Sequence, residues 1–244
     1  MNRFYYDLHL HSCLSPCGDA DNTPNNIAGM ASLSGLNIVA LTDHNTCRNC
    51  PAFFEAAERY GITAIAGMEL TTSEDIHVVC LFPTLESALA FDEHVSALRL
   101  KIKNRTEIFG EQLILDSEDR VIGSIDELLT VATEISVDNV KDEVTRFGGI
   151  CYPAHIDKMS NGIITVLGTL PPTPVFSTVE LHSKENLEQY SSLYGLSDKH
   201  IVFSSDAHFL GDIRDAENSF DLDADMEDAE SVRSKLLLLL GGNG

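Results

Sequence analysis

The sequence predicts an α/β fold organised around parallel strands, and three observations carry that prediction. Short apolar runs alternate with helical stretches along most of the chain, the pattern of successive strand–helix–strand units. Most of the strand candidates end in histidine, aspartate or glutamate, and parallel α/β barrels collect their catalytic groups on one such rim. No Gly/Ser-rich linker or low-complexity tract divides the 244 residues, nor does any repeat of about 20–50 residues, so a single domain over 1–244 is expected.

The first strand is expected at Phe4–His11. Thr23–Pro24 then opens a helix, threonine as cap and proline in the first turn. A strand at Asn37–Thr42 leads to a helix near Pro51–Tyr60, a third strand at Ile62–Gly67 and a fourth at His77–Phe82. After Pro83 comes a helix on which Ala88, Phe91, Val95 and Leu98 share one face. The next stretch breaks the alternation. Gln112–Asp116 and Arg120–Gly123 flank an acidic turn and predict a β-hairpin, while Ser124–Thr133 and Val137–Phe147 predict helices. We read residues 100–147 as an insertion that could cover a site or contact another subunit. Strands at Gly149–Pro153, Thr178–Leu181 and Ile201–Ser204 complete a set of seven.

Composition sets the outer bounds. Apolar residues make up 43% of the chain, ordinary for a globular protein. Apolar runs such as Leu236–Leu240 fall far short of the ~20 residues a bilayer span needs. Met1–Leu8 leads into polar motif residues with no basic and apolar leader. Six cysteines without an export signal read as reduced thiols or metal ligands, so a cytoplasmic location and no membrane partner are expected. The net charge of −22 repels long polyanions, which predicts no partner among duplex DNA or long RNA. Much of the excess lies between Asp212 and Glu230 and reads as solvated surface. A small phosphorylated substrate is compatible with this acidity, because bound divalent metals invert the local sign. A homo-oligomer is left open.

The strand ends carry the chemistry. They read Asp7-Leu8-His9-Leu10-His11, Thr42-Asp43-His44, Gly67-Met68-Glu69, Pro153-Ala154-His155, Glu180-Leu181-His182 and Ser204-Ser205-Asp206-Ala207-His208. Residues i and i+2 of a strand point the same way, so His9 and His11 can face one centre, as can Asp206 and His208. A single His-X-His is common on solvated strands; two such pairs with further strand-end donors are specific. His77 is the exception, since it begins its strand. Imidazole and carboxylate donors suit Zn, Mn or Fe(II). Closely spaced ions of this kind activate a bridging hydroxide and neutralise phosphoryl oxygens. The expected function is therefore metal-dependent hydrolysis of a phosphate ester, a small metabolite or nucleotide. Two alternatives stand beside it: a metal-dependent hydrolase of a C–N or C–O bond, and a non-catalytic module in which metals or cysteines sense.

These motifs resemble the polymerase-and-histidinol-phosphatase (PHP) family. The resemblance runs from Asp7-Leu8-His9-Leu10-His11-Ser12 through Thr23-Pro24, Gly35–Asn45, Gly67-Met68-Glu69, His77-Val78 and Pro153-Ala154-His155 to Ser205-Asp206-Ala207-His208. It implies a distorted (β/α)7 TIM-like barrel, two or three divalent ions (Zn, Mn or Fe) and phosphoesterase activity of a histidinol-phosphatase-like or nucleotide-directed kind. It puts His9, His11, Glu69 and Asp206 on one metal. Glu69 would bridge to a second held by His77 and His155, and His44 and His208 would bind a third. Many members add a ligand from the loop after the His-X-His motif. Here that loop reads Ser12-Cys13-Leu14-Ser15-Pro16-Cys17-Gly18-Asp19, which nominates Cys17, with Asp19 as the alternative.

The remaining candidates are expected in supporting roles. His208 and His182 are possible proton donors, and Asp7 and Asp43 would orient nearby imidazoles. Arg214, Lys158, Arg48 and Lys184 each follow a rim motif and are candidates for holding phosphate. Cys13, Cys17, Cys47 and Cys50 have spacings that permit a four-cysteine site, but Cys13, Cys47 and Cys50 read better as buried or adventitious thiols. Cys80 and Cys151 read as packing residues, and His94 and His200 as surface histidines.

Overall fold

The computed structural model describes residues 1–242. In chain order its elements are β1 (Asn2–Asp7), α1 (Pro24–Leu33), β2 (Ile38–Leu41), α2 (Cys50–Arg59), β3 (Thr63–Thr71), β4 (His77–Phe82), α3 (Leu85–Leu98), α4 (Thr106–Phe109), β5 (Leu113–Leu115), β6 (Val121–Ser124), α5 (Val137–Arg146), β7 (Ile150–Pro153), α6 (Ile163–Leu167), β8 (Thr178–Glu180), α7 (Leu187–Tyr194), β9 (His200–Val202), β10 (Ser219–Leu222) and α8 (Ala229–Leu240). Each of the seven expected strands is present, with ends shifted by a few residues. No helix is long and apolar enough to cross a membrane among the described residues.

Six strands form one curled sheet in the order β10-β1-β2-β3-β4-β7, and β8 and β9 pair separately. A parallel bridge between Leu10 and Ala207 ties the chain after β1 to the chain after β9. The sheet is mixed. β1, β2 and β3 run parallel, but β4 lies antiparallel to both β3 and β7. This departs from the all-parallel expectation, and the cause is local. Only Thr72–Ile76 separate β3 from β4, too few residues for a parallel crossover of a dozen or more. The reversal also resolves the anomaly of His77. The N-terminal end of an antiparallel β4 stands beside the C-terminal end of β3, with His77 opposite Thr71.

Strands buried on both faces need apolar residues at every position, as Ile38-Val39-Ala40-Leu41 supplies in β2. Val39 and Leu41 pack with α1 and α2 residues such as Ile27 and Phe53. Ile38 and Ala40 face the other way, into a cluster with Tyr6, Ile65, Val79, Tyr152 and Val202. The C-terminal helix α8 joins this second cluster through Val232, Leu236, Leu237 and Leu240. Gly67 permits the tightest crossing in β3: a Cβ there would lie 2.8 Å from Thr42 Cγ2 and 2.9 Å from the Cys80 carbonyl oxygen.

One expected helix is absent. Ser124–Thr133 is not helical; after β6 it runs extended against 99–104, with bridges Arg99–Thr133 and Lys103–Glu127. Side chains capture its backbone, since Gln112 Nε2 donates to the carbonyls of Ile125 and Glu127 and Asn45 Nδ2 to those of Leu129 and Val131. The acidic side chains from Asp212 to Glu230 are exposed, as expected of solvated surface, and the stretch also contains β10, which pairs antiparallel with β1. Phe220 there stacks on Tyr6 at 4.2 Å between ring centroids.

Candidate active site

The strand ends converge on one buried carboxylate. Glu69, at the end of β3, has His77 Nδ1 at 2.8 Å, His44 Nδ1 and His155 Nε2 at 3.1 Å, and His9 and His11 Nε2 at 3.3 Å. Five imidazoles on four segments therefore share one carboxylate. A second carboxylate, Asp206, stands 3.1 Å from His11 Nε2 and 3.4 Å from His9 Nε2. The His208 ring packs 4.4 Å from that of His11. Backbone strain accompanies this packing. Asn45, His155 and Asp206 all have positive φ, a conformation costly for residues other than glycine that recurs at functional sites.

The electrostatics follow from burying so many titratable groups together. Burial alone would push Glu69 up, but His77, His9 and His44 outweigh it and hold the carboxyl well below the usual range. For His11, burial is overcome by Asp206 and Glu69, which raise it to about 9. His44 and His208 go the other way. Burial and neighbouring imidazoles depress both, His208 to about 4. The protein thus places more imidazoles than its carboxylates can pair as cations.

Divalent ions fit this set. Among the described residues, three groups of donor atoms lie within 4.8 Å of one another: His9, His11, Glu69 and Asp206; His44, Glu69 and His77; and His11, His44 and His208. His9 Nε2 and His44 Nδ1 are buried with no hydrogen-bond partner, although each faces a Glu69 oxygen. A buried nitrogen left bare is costly unless something else occupies its lone pair. The grouping differs from the implied one in two respects: His44 joins Glu69 and His77, while His155 meets the same Glu69 oxygen as His77, and His11 joins His44 and His208.

Cys17 belongs to none of these groups. It is exposed and lines the mouth of a cavity of about 300 Å³ with His44, Glu69, His77, His155, Asp206 and His208. The Asp19 carboxylate accepts from its own loop, at the Asp21 amide. Cys13, Cys47 and Cys50 are buried thiols, and Cys47 and Cys50 both turn toward the Gly67 carbonyl.

The supporting residues are partly those expected. Asp43 acts at one remove: it accepts from Ser12 and from Ser15 Oγ, and Ser15 Oγ contacts His11 Nδ1 at 3.2 Å. Asp7 touches no imidazole; it accepts from the amides of Ser205 and His9. The carboxylate that does hold a ring is Glu180, whose Oε1 is 2.9 Å from His9 Nδ1 and accepts from the His155 amide at 3.0 Å. Glu180 stands two residues before His182, so alternation along that strand end carried a signal for it. Ser15 and Thr130, which also lines the cavity, lie on irregular segments that carry no such signal.

The chain matches the PHP domain model over residues 7–244. It belongs to the PHP domain family. Among curated relatives, a 5'-3' exoribonuclease of Haemophilus influenzae is 28% identical over 163 residues, covering 64% of this chain and 53% of that protein. The PHP chain thus spans about half the length of this relative. Among solved structures, the lesion-specific endonuclease Q of Pyrococcus furiosus has a TM-score of 0.68 at 18% identity, covering 100% of this chain and 57% of that one. Endonuclease Q holding a 27-mer duplex with an abasic lesion gives 0.71 at 17% identity, again covering 100% and 57%.

That complex overturns the exclusion of long nucleic acid drawn from the charge of −22. A protein of this fold accommodates a duplex, so net charge does not decide the partner. The physical reason is that net charge averages a whole surface, whereas a strand meets one face and the ions of one site.

The four proposed phosphate cations separate in the PHP structure. Lys158 lines the cavity and pairs with Asp206. Arg214 donates to the His182 carbonyl at 3.1 Å. Arg48 is drawn off to Asp92 at 2.7 Å, and Lys184 faces Glu217 at 3.4 Å on the surface. His182 Nδ1 is buried without a partner; burial first, then Lys158 and Arg214, lower its pKa. His94 meets Glu143 at 3.0 Å.

Proposed function

We propose that this PHP domain is a metal-dependent phosphoesterase that cleaves phosphodiesters of nucleic-acid strands, acting on a nucleotide presented to the 300 Å³ cavity. The observation that carries the reading is the set of five imidazoles within 3.3 Å of Glu69. The exoribonuclease relative and the duplex-bound fold support the choice of substrate. The cavity is lined by Lys158 and no other lysine or arginine, so charge neutralisation of the phosphoryl group must come chiefly from bound ions.

His9, His11, Glu69 and Asp206 would hold one ion, and Glu69 would share a second with His77, His44 and His155. The group formed by His11, His44 and His208 offers a third position. Such ions supply an activated water and neutralise charge on the phosphoryl oxygens. The protein's own part is to orient and exclude. Glu180 fixes the His9 ring from behind, and Ser15 does the same for His11. Lys158 can exchange its Asp206 partner for a phosphoryl oxygen. His182 stands off the cavity lining; its lowered pKa fits a hydrogen-bond donor to an adjacent phosphate better than a proton source. His208 sits among ligands, which favours ligation over proton transfer. We take residues 1–244 as one PHP-type domain with an insertion at about 100–147. We read β1, β2, β3, β4, β7, β8 and β9 as the seven strands of one distorted barrel. Six free thiols fit a reducing, cytoplasmic setting.

The test is a panel of RNA and DNA oligonucleotides with defined 5' and 3' ends, with p-nitrophenyl phosphate esters, in Mn, Zn or Fe(II). Cleavage of a strand with release of nucleotides is expected. Metal-dependent hydrolysis of monoesters or carboxamides, with strands left intact, would overturn the substrate class.

A further inference from the structure

The insertion carries a second, larger cavity of about 750 Å³, lined by Lys103, Asn104, Arg105, Glu111, Gln112 and Asp126 among others. Its charge pattern is unlike the rest of the chain. Arg99-Leu100-Lys101-Ile102-Lys103-Asn104-Arg105 holds four basic residues and no acidic one, in a protein with 16 Lys and Arg against 38 Asp and Glu. The segment is extended, bridged to Thr133 and Glu127 and still extended at Arg105. Alternate residues of extended chain share a face, so Lys103 and Arg105, which both line the cavity, project together about 6.6 Å apart. That is close to the separation of neighbouring phosphates on one strand, which exceeds the ~3.4 Å axial rise of a duplex because the backbone winds around the axis. Arg99 and Lys101 are engaged by Glu127. Lys103 and Arg105 are exposed and enter no ion pair among the described residues.

The facing segment, bridged to it through Glu127 and Thr133, joins this cavity to the catalytic one. Asp126 lines the outer cavity and Thr130 the inner, so at most roughly 14 Å of extended chain separates them. A strand advancing between the ~3.4 Å helical rise and about twice that per nucleotide covers the distance in about two to four nucleotides.

We propose that the insertion cavity is a strand-binding site, where Lys103 and Arg105 hold the phosphates of a single-stranded nucleic acid whose reacting nucleotide lies in the catalytic cavity about two to four positions away. The inference rests on the nucleic-acid reading above. Glu107, Glu111 and Asp126 on the same lining are acceptors for exocyclic amino groups and ribose hydroxyls, and they keep the site from holding polyanions indiscriminately.

The experiment compares a single-stranded 12-mer with a dinucleotide on wild type and on the Lys103→Ala/Arg105→Ala double variant, in Mn. The dinucleotide is too short to reach the insertion and serves as reference. With a salt exponent of about 0.7 per phosphate contact on single strands, two lost contacts weaken 12-mer binding roughly 25-fold at 0.1 M salt and flatten the salt slope by about 1.4. The expected result is a fall of that order in the 12-mer to dinucleotide ratio of kcat/KM, with restoration by Lys103→Arg in an Arg105-intact background. An unchanged ratio, or equal losses on both substrates, overturns the proposal. If wild type cleaves neither substrate, the catalytic reading fails instead. Fluorescence anisotropy of the 12-mer then decides this inference alone: weaker binding by the double variant keeps it, and equal binding removes it.

Discussion

Replacing Glu180 by alanine isolates the residue that the structure adds to the site. Its Oε1 accepts from His9 Nδ1 at 2.9 Å and from the His155 amide at 3.0 Å, and both groups are buried. Alanine strands two buried donors, each costing about 1–3 kcal/mol, so the loss should be roughly 2–6 kcal/mol. For a protein of this size 1 kcal/mol moves Tm by about 2–4 °C, giving a fall of roughly 4–24 °C in the metal-free protein. Free of its anchor, the His9 ring should also bind metal about 10–100-fold more weakly, the usual cost of losing a carboxylate behind a ligand. Glu180→Gln keeps a carbonyl acceptor and should lose less Tm while still weakening metal. The assay is differential scanning calorimetry of the apo protein with competitive metal titration. A Tm within about 2 °C of wild type and unchanged metal affinity in the alanine variant would refute the positioning role.

Other changes separate the remaining roles. Lys158→Ala should raise KM for a strand substrate by about 10–150-fold, from loss of a charge-assisted hydrogen bond of ~1.5–3 kcal/mol; an unaltered KM returns Lys158 to a plain partner of Asp206. Cys17→Ser should leave metal content unchanged, because its sulfur is in none of the donor groups; loss of an ion on atomic absorption would restore it as a ligand. Arg48→Ala should leave KM near wild type and lower stability by about 1–3 kcal/mol, since Arg48 is spent on the buried Asp92, which keeps only Thr46 Oγ1 and the Cys47 amide as donors. A large rise in KM would put it back on the substrate.

Much of this was legible in the sequence where local pattern decides structure. Two-sided burial of β2 demands a continuous apolar run, and one is visible. The i, i+2 spacing of His9 and His11 needs only the geometry of a strand. What stayed hidden depended on contacts distant in sequence. The direction of β4 is set by a short connection, not by the residues of β4, so His77 looked misplaced until the strand reversed. Ser124–Thr133 has residues a helix would accept, but Asn45 and Gln112 take its carbonyls. β10 lies in an acidic stretch whose Ser219-Phe220-Asp221-Leu222 pairs with β1 on an edge where charged side chains face water. Net charge misled most, because a whole-chain sum says nothing of Lys103 and Arg105 standing together on one extended segment.

The central claim is that Glu69 joins metal positions in one polynuclear site. Metal content after reconstitution with Mn, Zn or Fe(II), measured on wild type and Glu69→Gln by mass spectrometry of the dialysed protein, tests it most directly. The account predicts about two or three ions per wild-type chain and loss of more than one of them in Glu69→Gln, with the circular dichroism spectrum retained. A Glu69→Gln protein that keeps its full complement of ions would contradict it.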